Sequence, residues 1–179
     1  PGGRVEPEAY APPLRAIAED GYTTIVPSMP FGLAVLAPDT ADDIIEAYPE
    51  IEQWVIGGHS LGGAMAAQYA EGHEVIDGLA LWAAYPPDGV DLSTASIEAT
   101  SVYATEDGLT SLDEIETSRA QLPPETTFVE IAGGNHAGFG WYGEQDGDGV
   151  AAISREEQQA QVVAATIELL ERVGAAAAS

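Results

Sequence analysis

Two hydrophobic periods alternate along the chain. Residues 22–27 (YTTIVP), 53–57 (QWVIG), 77–84 (DGLALWAA), 97–104 (IEATSVYA) and 126–132 (TTFVEIA) are short runs rich in apolar and β-branched side chains, bounded by turn residues. Such runs read as buried strands. Between them, residues 8–19, 39–48, 61–71, 112–121 and 155–173 carry helical spacing. Gly21 stands just past the first helix, Asp39 or Thr40 caps the second, and Ser154 with Glu157 makes a capping box for the last. The alanine-rich end, residues 175–178, is expected to fray. Strands alternating with helices predict an α/β fold with a mostly parallel sheet. There is no internal repeat and no long linker, so residues 1–179 read as a single domain.

Composition narrows the possibilities. At 45% hydrophobic over 179 residues, the chain can bury a sizeable core. No apolar run reaches the roughly 18 residues that a membrane span needs. Cysteine is absent, which excludes disulfides, thiolate metal sites and cysteine nucleophiles. Thirty acidic residues stand against five arginines and no lysine, a net charge of -25. The pattern resembles that of halophilic proteins. Nucleic acid and anionic membranes, themselves negatively charged, are poor partners for such a surface. The chain starts at Pro1 without a methionine, and an upstream segment is expected to be missing, which leaves both a cytoplasmic and a membrane-anchored location open.

The chemistry concentrates in three loops. Gly58-His59-Ser60-Leu61-Gly62 matches G-x-S-x-G, between the strand QWVIG and a helix rich in small residues. A sharp strand-to-helix turn there strains the serine and lifts its hydroxyl clear of the sheet, and the flanking glycines avoid a collision. A serine nucleophile needs a base, and the base an orienting acid, which follow such an elbow in the order acid, then histidine. Of three histidines, His59 lies inside the elbow and is expected to point away from the base's place; His73 is expected to cap the following helix. His136, in Gly133-Gly134-Asn135-His136 after the last strand, is the candidate base. The acid belongs in Thr105-Glu106-Asp107-Gly108, where Asp107 is the choice and Glu106 its rival.

With the elbow GGHSLGGAMAAQYA, the loops ATEDGL and GGNHAGFGWYGEQDGDG, and the start Pro1-Gly2-Gly3, the chain resembles the α/β-hydrolases, near the small, dienelactone-hydrolase-like esterase branch. Those enzymes carry cysteine where this chain carries Ser60. The resemblance implies an oxyanion hole formed by the Leu61 N–H and a second donor, Gly3 first and Arg4 second. It implies a serine esterase that needs no cofactor and takes a small-molecule ester, with thioester and amide also open. Residues 83–96 are too few for a cap domain. Transfer to a non-water acceptor and a non-catalytic binding module are the alternatives. Phe139, Trp141 and Tyr142 are candidate pocket walls or plain core. Asp146-Gly147-Asp148-Gly149 faintly resembles a calcium loop but lacks the further ligand spacing, so no metal is expected. The family's strand order also implies that a strand preceding Pro1 belongs between residues 22–27 and 53–57. The N-terminal strands of the fold are therefore expected to be missing from this chain.

Overall fold

The computed structural model describes residues 1–177. Four parallel strands, β1 (Trp54–His59), β2 (Ile76–Trp82), β3 (Glu98–Ala104) and β4 (Thr127–Ile131), lie side by side in that order. The helices are α1 (Ala11–Glu19), α2 (Thr40–Ala47), α3 (Leu61–Gly72), α4 (Leu112–Ser118) and α5 (Arg155–Ala177). Helices cover both faces of the sheet, as a parallel sheet requires.

The period of two decides which side chain meets which layer. Along β2, Leu79 and Leu81 pack into a cluster with Ala66, Ala67 and Ala70 of α3. Ala80 and Trp82 face the other way, toward Leu169 and Val162 of α5. Leu79 and Leu81 are 0% and 1% exposed, and burying each stabilises the fold by roughly 2 kcal/mol. Trp82 also donates its indole N–H to Thr166 at 3.1 Å, so the sheet and α5 share a polar tie inside the core. Thr166 sits on the same helix face as Val162, Leu169 and Val173, all buried. α1 packs on α5 through Ile17 and its neighbours.

Local signals set the helix ends. Ser154 and Glu157 exchange both hydrogen bonds of a capping box, Ser154 N–H to Glu157 at 2.9 Å and Glu157 N–H to Ser154 at 3.2 Å. Ser111 and Glu114 do the same for α4. His73 ends α3 as expected, its ring Nδ1 2.7 Å from the Tyr69 carbonyl oxygen. α5 runs on through Ala177, past the expected fraying point at residue 175, while Ala178 lies outside the described residues.

One expected strand is absent. Residues 22–27 form no ladder. They run opposite β1 across a groove of about 770 Å³, lined by Tyr22, Ile25, Val26, Trp54 and Ile56 among others. β-Branched residues favour extended backbone, but a strand exists only where a neighbour supplies its hydrogen bonds. Here no strand supplies them, and β1 pairs on its β2 side alone among the described residues.

Candidate active site

Parallel strands put all their carboxyl ends at one edge, so the loops after β1, β3 and β4 converge. The backbone extends that edge: Ser60 N–H donates to Trp82 O at 2.9 Å, Ala83 N–H to Val102 O at 2.8 Å and Thr105 N–H to Ile131 O at 3.2 Å. Ser60, Asp107 and His136 therefore project from neighbouring loops.

Ser60 caps α3 with φ 53° and ψ -125°, a conformation an L-residue seldom adopts. The turn is tight enough that a side chain at Gly58 would strike Gly62, and one at Gly62 would strike the Pro1 carbonyl. Glycine at both positions is what allows the elbow. It aims the serine at the sheet edge with the first turn of α3 beneath it, whose leading N–H groups, Leu61's included, have no intrahelical acceptor. Among the described residues the Ser60 hydroxyl has no hydrogen-bond partner, His136 included.

Asp107 and His136 are brought together. His136 Nδ1 lies 2.8 Å from one carboxylate oxygen of Asp107 and 3.1 Å from the other, and both side chains are 1% exposed. A carboxylate offers acceptors only, so Nδ1 carries a proton, and in the neutral ring the lone pair lies on Nε2. Asp107 also accepts the N–H groups of Leu109 at 2.8 Å and Thr110 at 2.7 Å, which lock the acid in place. Glu106 is exposed, its carboxylate meeting only the adjacent Thr105 hydroxyl at 3.3 Å, away from His136.

His59 departs from the expectation. Its ring does not point away from His136 but lies 4.5 Å from that ring and stacks on Phe139 at 5.6 Å. The end of β1 faces inward at this position, and His59 is 1% exposed. Burial, followed by the neighbouring His136, holds its pKa well below the usual histidine value. Its Nδ1 is hydrogen-bonded to the Tyr10 hydroxyl at 2.9 Å, and that oxygen accepts the Gly2 N–H at 2.9 Å. Nε2 is buried with no hydrogen-bond partner among the described residues. Burial pushes the Tyr10 hydroxyl up to about 12. A neutral chain from His59 through Tyr10 thus fixes the Pro1-Gly2-Gly3 loop against the elbow. A Cβ at Gly3 would lie 3.4 Å from the Leu61 side chain. The Gly3 N–H has no acceptor among the described residues, whereas the Arg4 N–H is committed to Gly32 O at 2.7 Å.

The buried neutral state of His59 has a pH signature. The unfolded chain takes up a proton near pH 6.5 and the folded chain resists it, so stability is complete above that pH and falls as pH drops below it. The slope approaches about 1.4 kcal/mol per unit. In molar KCl, where acid–acid repulsion is screened, wild type should lose stability between pH 6.5 and 5.5 more steeply than His59→Gln, measured by urea denaturation. Parallel losses in the two proteins would show that His59 is not held neutral.

Of the aromatic candidates, Phe139 is core, 0% exposed. Trp141 lies at the surface, donating to Gln159 at 2.6 Å, and the Tyr142 hydroxyl donates to Gln145 at 3.0 Å. Sequence reading missed Gln158. It is buried on α5 and grips the His loop twice, accepting the Asn135 N–H at 3.0 Å and donating to the Asn135 carbonyl at 2.7 Å. No cluster of His, Asp or Glu fit to hold a metal occurs among the described residues. The Asp146–Gly149 turn places Asp148 against the loop of His136.

The fold has many solved relatives. The Paleococcus ferrophilus monoacylglycerol lipase superposes with a TM-score of 0.65 at 15% identity, over 93% of this chain and 91% of that one. A thermophilic esterase from Thermogutta terrifontis gives 0.64 at 15% identity, over 96% and 92%. An esterase domain of a Rhodothermus marinus protein gives 0.64 at 14% identity, over 92% and 80%. No curated protein matches the sequence. The sequence profile of the alpha/beta hydrolase family matches residues 1–160. With that match over most of its length, and with the parallel sheet and strand-to-helix elbow just described, the chain belongs to the α/β-hydrolase family.

Proposed function

We propose that this α/β-hydrolase is a serine hydrolase that cleaves a carboxylic ester through an acyl-enzyme intermediate. The observation that carries the reading is the buried Asp107–His136 pair at the same sheet edge as the strained Ser60. Family membership and the esterase and lipase neighbours point to the same class of bond.

In the first half-reaction His136 Nε2 takes the Ser60 proton as Oγ attacks the ester carbonyl. The Leu61 and Gly3 N–H groups hold the developing oxyanion, and such donors are worth roughly 3 kcal/mol each. Collapse expels the alcohol, which receives the proton from His136. Water then attacks the acyl group as His136 takes its proton, and His136 returns that proton to Ser60 Oγ as the ester bond breaks and the acid leaves. Asp107 keeps Nδ1 protonated throughout and stabilises the imidazolium.

A fluorophosphonate probe tests this directly. It should label Ser60, with hydrolysis of short aryl esters lost in proportion to labelling. Wild-type protein that stays unlabelled and inactive would reduce the chain to a binding module.

The assay belongs at high salt. Among described residues the ion pairs of the arginines are Arg119 with Glu116 and Arg172 with Glu98, so most acids face solvent without a cationic partner. Raising salt from 0.1 to 1 M shortens the Debye length from about 10 Å to about 3 Å. Melting temperature and activity should both rise with KCl toward molar levels, because screening relieves acid–acid repulsion. A melting temperature indifferent to salt would end the halophilic reading.

A further inference from the structure

We propose that Asp148 is a positioning residue of the active site, a carboxylate that holds the base loop and the acid loop in one register. The inference rests on the serine-hydrolase reading above. Asp148 comes from the Asp146–Gly149 turn, which no part of that mechanism uses. One of its oxygens accepts the N–H of His136 itself at 3.1 Å, the N–H of Gly108 at 3.1 Å and the N–H of Gly149 at 2.8 Å. The other accepts the Ala137 N–H at 2.8 Å.

Those four donors belong to three separate segments. His136 and Ala137 open the 3-10 turn Ala137–Phe139 that carries the base. Gly108 follows the acid Asp107. Gly149 closes the turn that supplies Asp148. The contact is close: a side chain at Gly108 would collide with the Gly147 carbonyl, and one at Gly149 with the Glu106 carbonyl. A single carboxylate thus takes the role of a rivet between the residue after the acid and the backbone of the base. Bonds from N–H groups to an ionised acceptor are about twice as strong as neutral ones. The Asp107–His136 distances of 2.8 and 3.1 Å depend on these two loops keeping step.

Neighbouring contacts do not make Asp148 redundant. The Glu106 N–H donates to Gly134 O at 2.9 Å and the Gly133 N–H to Thr105 Oγ1 at 2.8 Å, tying the loops one turn earlier. Asn135 donates to the Gly149 carbonyl at 2.8 Å, and Gln158 grips Asn135 from below. None of these bonds reaches the His136 N–H or the Gly108 N–H, which meet only at Asp148.

The test compares Asp148→Asn with Asp146→Asn in the full chain at molar KCl. Asn keeps the shape but loses the charge and turns an NH₂ group toward an N–H. We expect kcat on an aryl ester to fall ten- to a hundredfold with KM within about twofold, while Asp146→Asn stays at wild-type rates. The His136 Nδ1–H proton, followed by ¹⁵N-edited NMR of His-labelled protein, should broaden or move upfield in Asp148→Asn and stay put in Asp146→Asn. A kcat per probe-labelled site equal to wild type, or an unmoved Nδ1–H resonance, overturns the proposal. If Asp148→Asn does not fold, Asp148→Ser, which retains one acceptor oxygen, is measured the same way. Failure of both to fold makes Asp148 an anchor of the fold and also overturns it. The NMR arm does not need activity, so the loss of the serine-hydrolase reading would be seen separately, in unlabelled wild type.

Discussion

Ser60→Ala and His136→Ala will each lower kcat on a simple aryl ester by on the order of 10⁵, and the double variant will lose little more than either alone. The reason is that the two residues act on one event. Without Ser60 there is no acceptor for the acyl group, and an intact His136 has nothing to deprotonate. Without His136 the Ser60 hydroxyl keeps its proton near neutral pH and is a poor nucleophile. What survives in all three variants is stabilisation of the oxyanion by the Leu61 and Gly3 N–H groups acting on attack by water. KM should move little, because neither side chain is asked to bind the ground state. Additive losses, approaching the product of the two, would mean that Ser60 and His136 work in separate steps. The same experiment bears on the missing Ser60–His136 hydrogen bond among the described residues of the free protein. Such bonds often tighten only with substrate bound, and a pair that never met would not show the non-additivity.

The elements that position this site were legible because both faces of a parallel sheet are covered, so its strands stand out as unbroken apolar runs. β1 to β4 fall within two residues of the expected bounds for that reason. Residues 22–27 have the same local character and fail as a strand because strand formation is decided by the partner, which no local pattern reports. That the loops of Ser60, Asp107 and His136 share one sheet edge was legible from their order along the chain. The contact between His59 and His136 was not, since it depends on which way the last residue of β1 faces and on Phe139 closing over it. Asp148 was hidden by numbers: one acid among thirty carries no mark until the loops are folded. Gln158 did leave a signal. The buried face of α5 holds Val162, Ala165, Leu169 and Val173, and stepping back four residues from Val162 lands on a glutamine where an apolar residue is due. A polar side chain on an apolar stripe near a helix start marks something to be held, here the base loop.

Asp107→Asn will lower kcat on the order of 10⁴-fold, whereas Glu106→Gln will stay within about twofold of wild type. The substitution at Asp107 is nearly isosteric, and the amide oxygen can still accept the N–H groups of Leu109 and Thr110, so the loop should keep its shape. What changes is the proton on the base. An amide can present an N–H to His136 Nδ1, which then becomes the acceptor, and the ring's remaining proton moves to Nε2. Nε2, the nitrogen proposed to take the serine proton, loses its lone pair and cannot do so. The carboxylate charge that would stabilise the imidazolium is lost as well, within a pair whose side chains are each 1% exposed and poorly screened. Glu106 has no such leverage, because its carboxylate is exposed and reaches only Thr105. A stability measurement separates the two effects: Asp107→Asn should melt within a few degrees of wild type while being almost inactive. If Glu106→Gln proved the more damaging change, the acid would be Glu106, and the 2.8 Å bond from His136 to Asp107 would have to be exchanged for another during turnover.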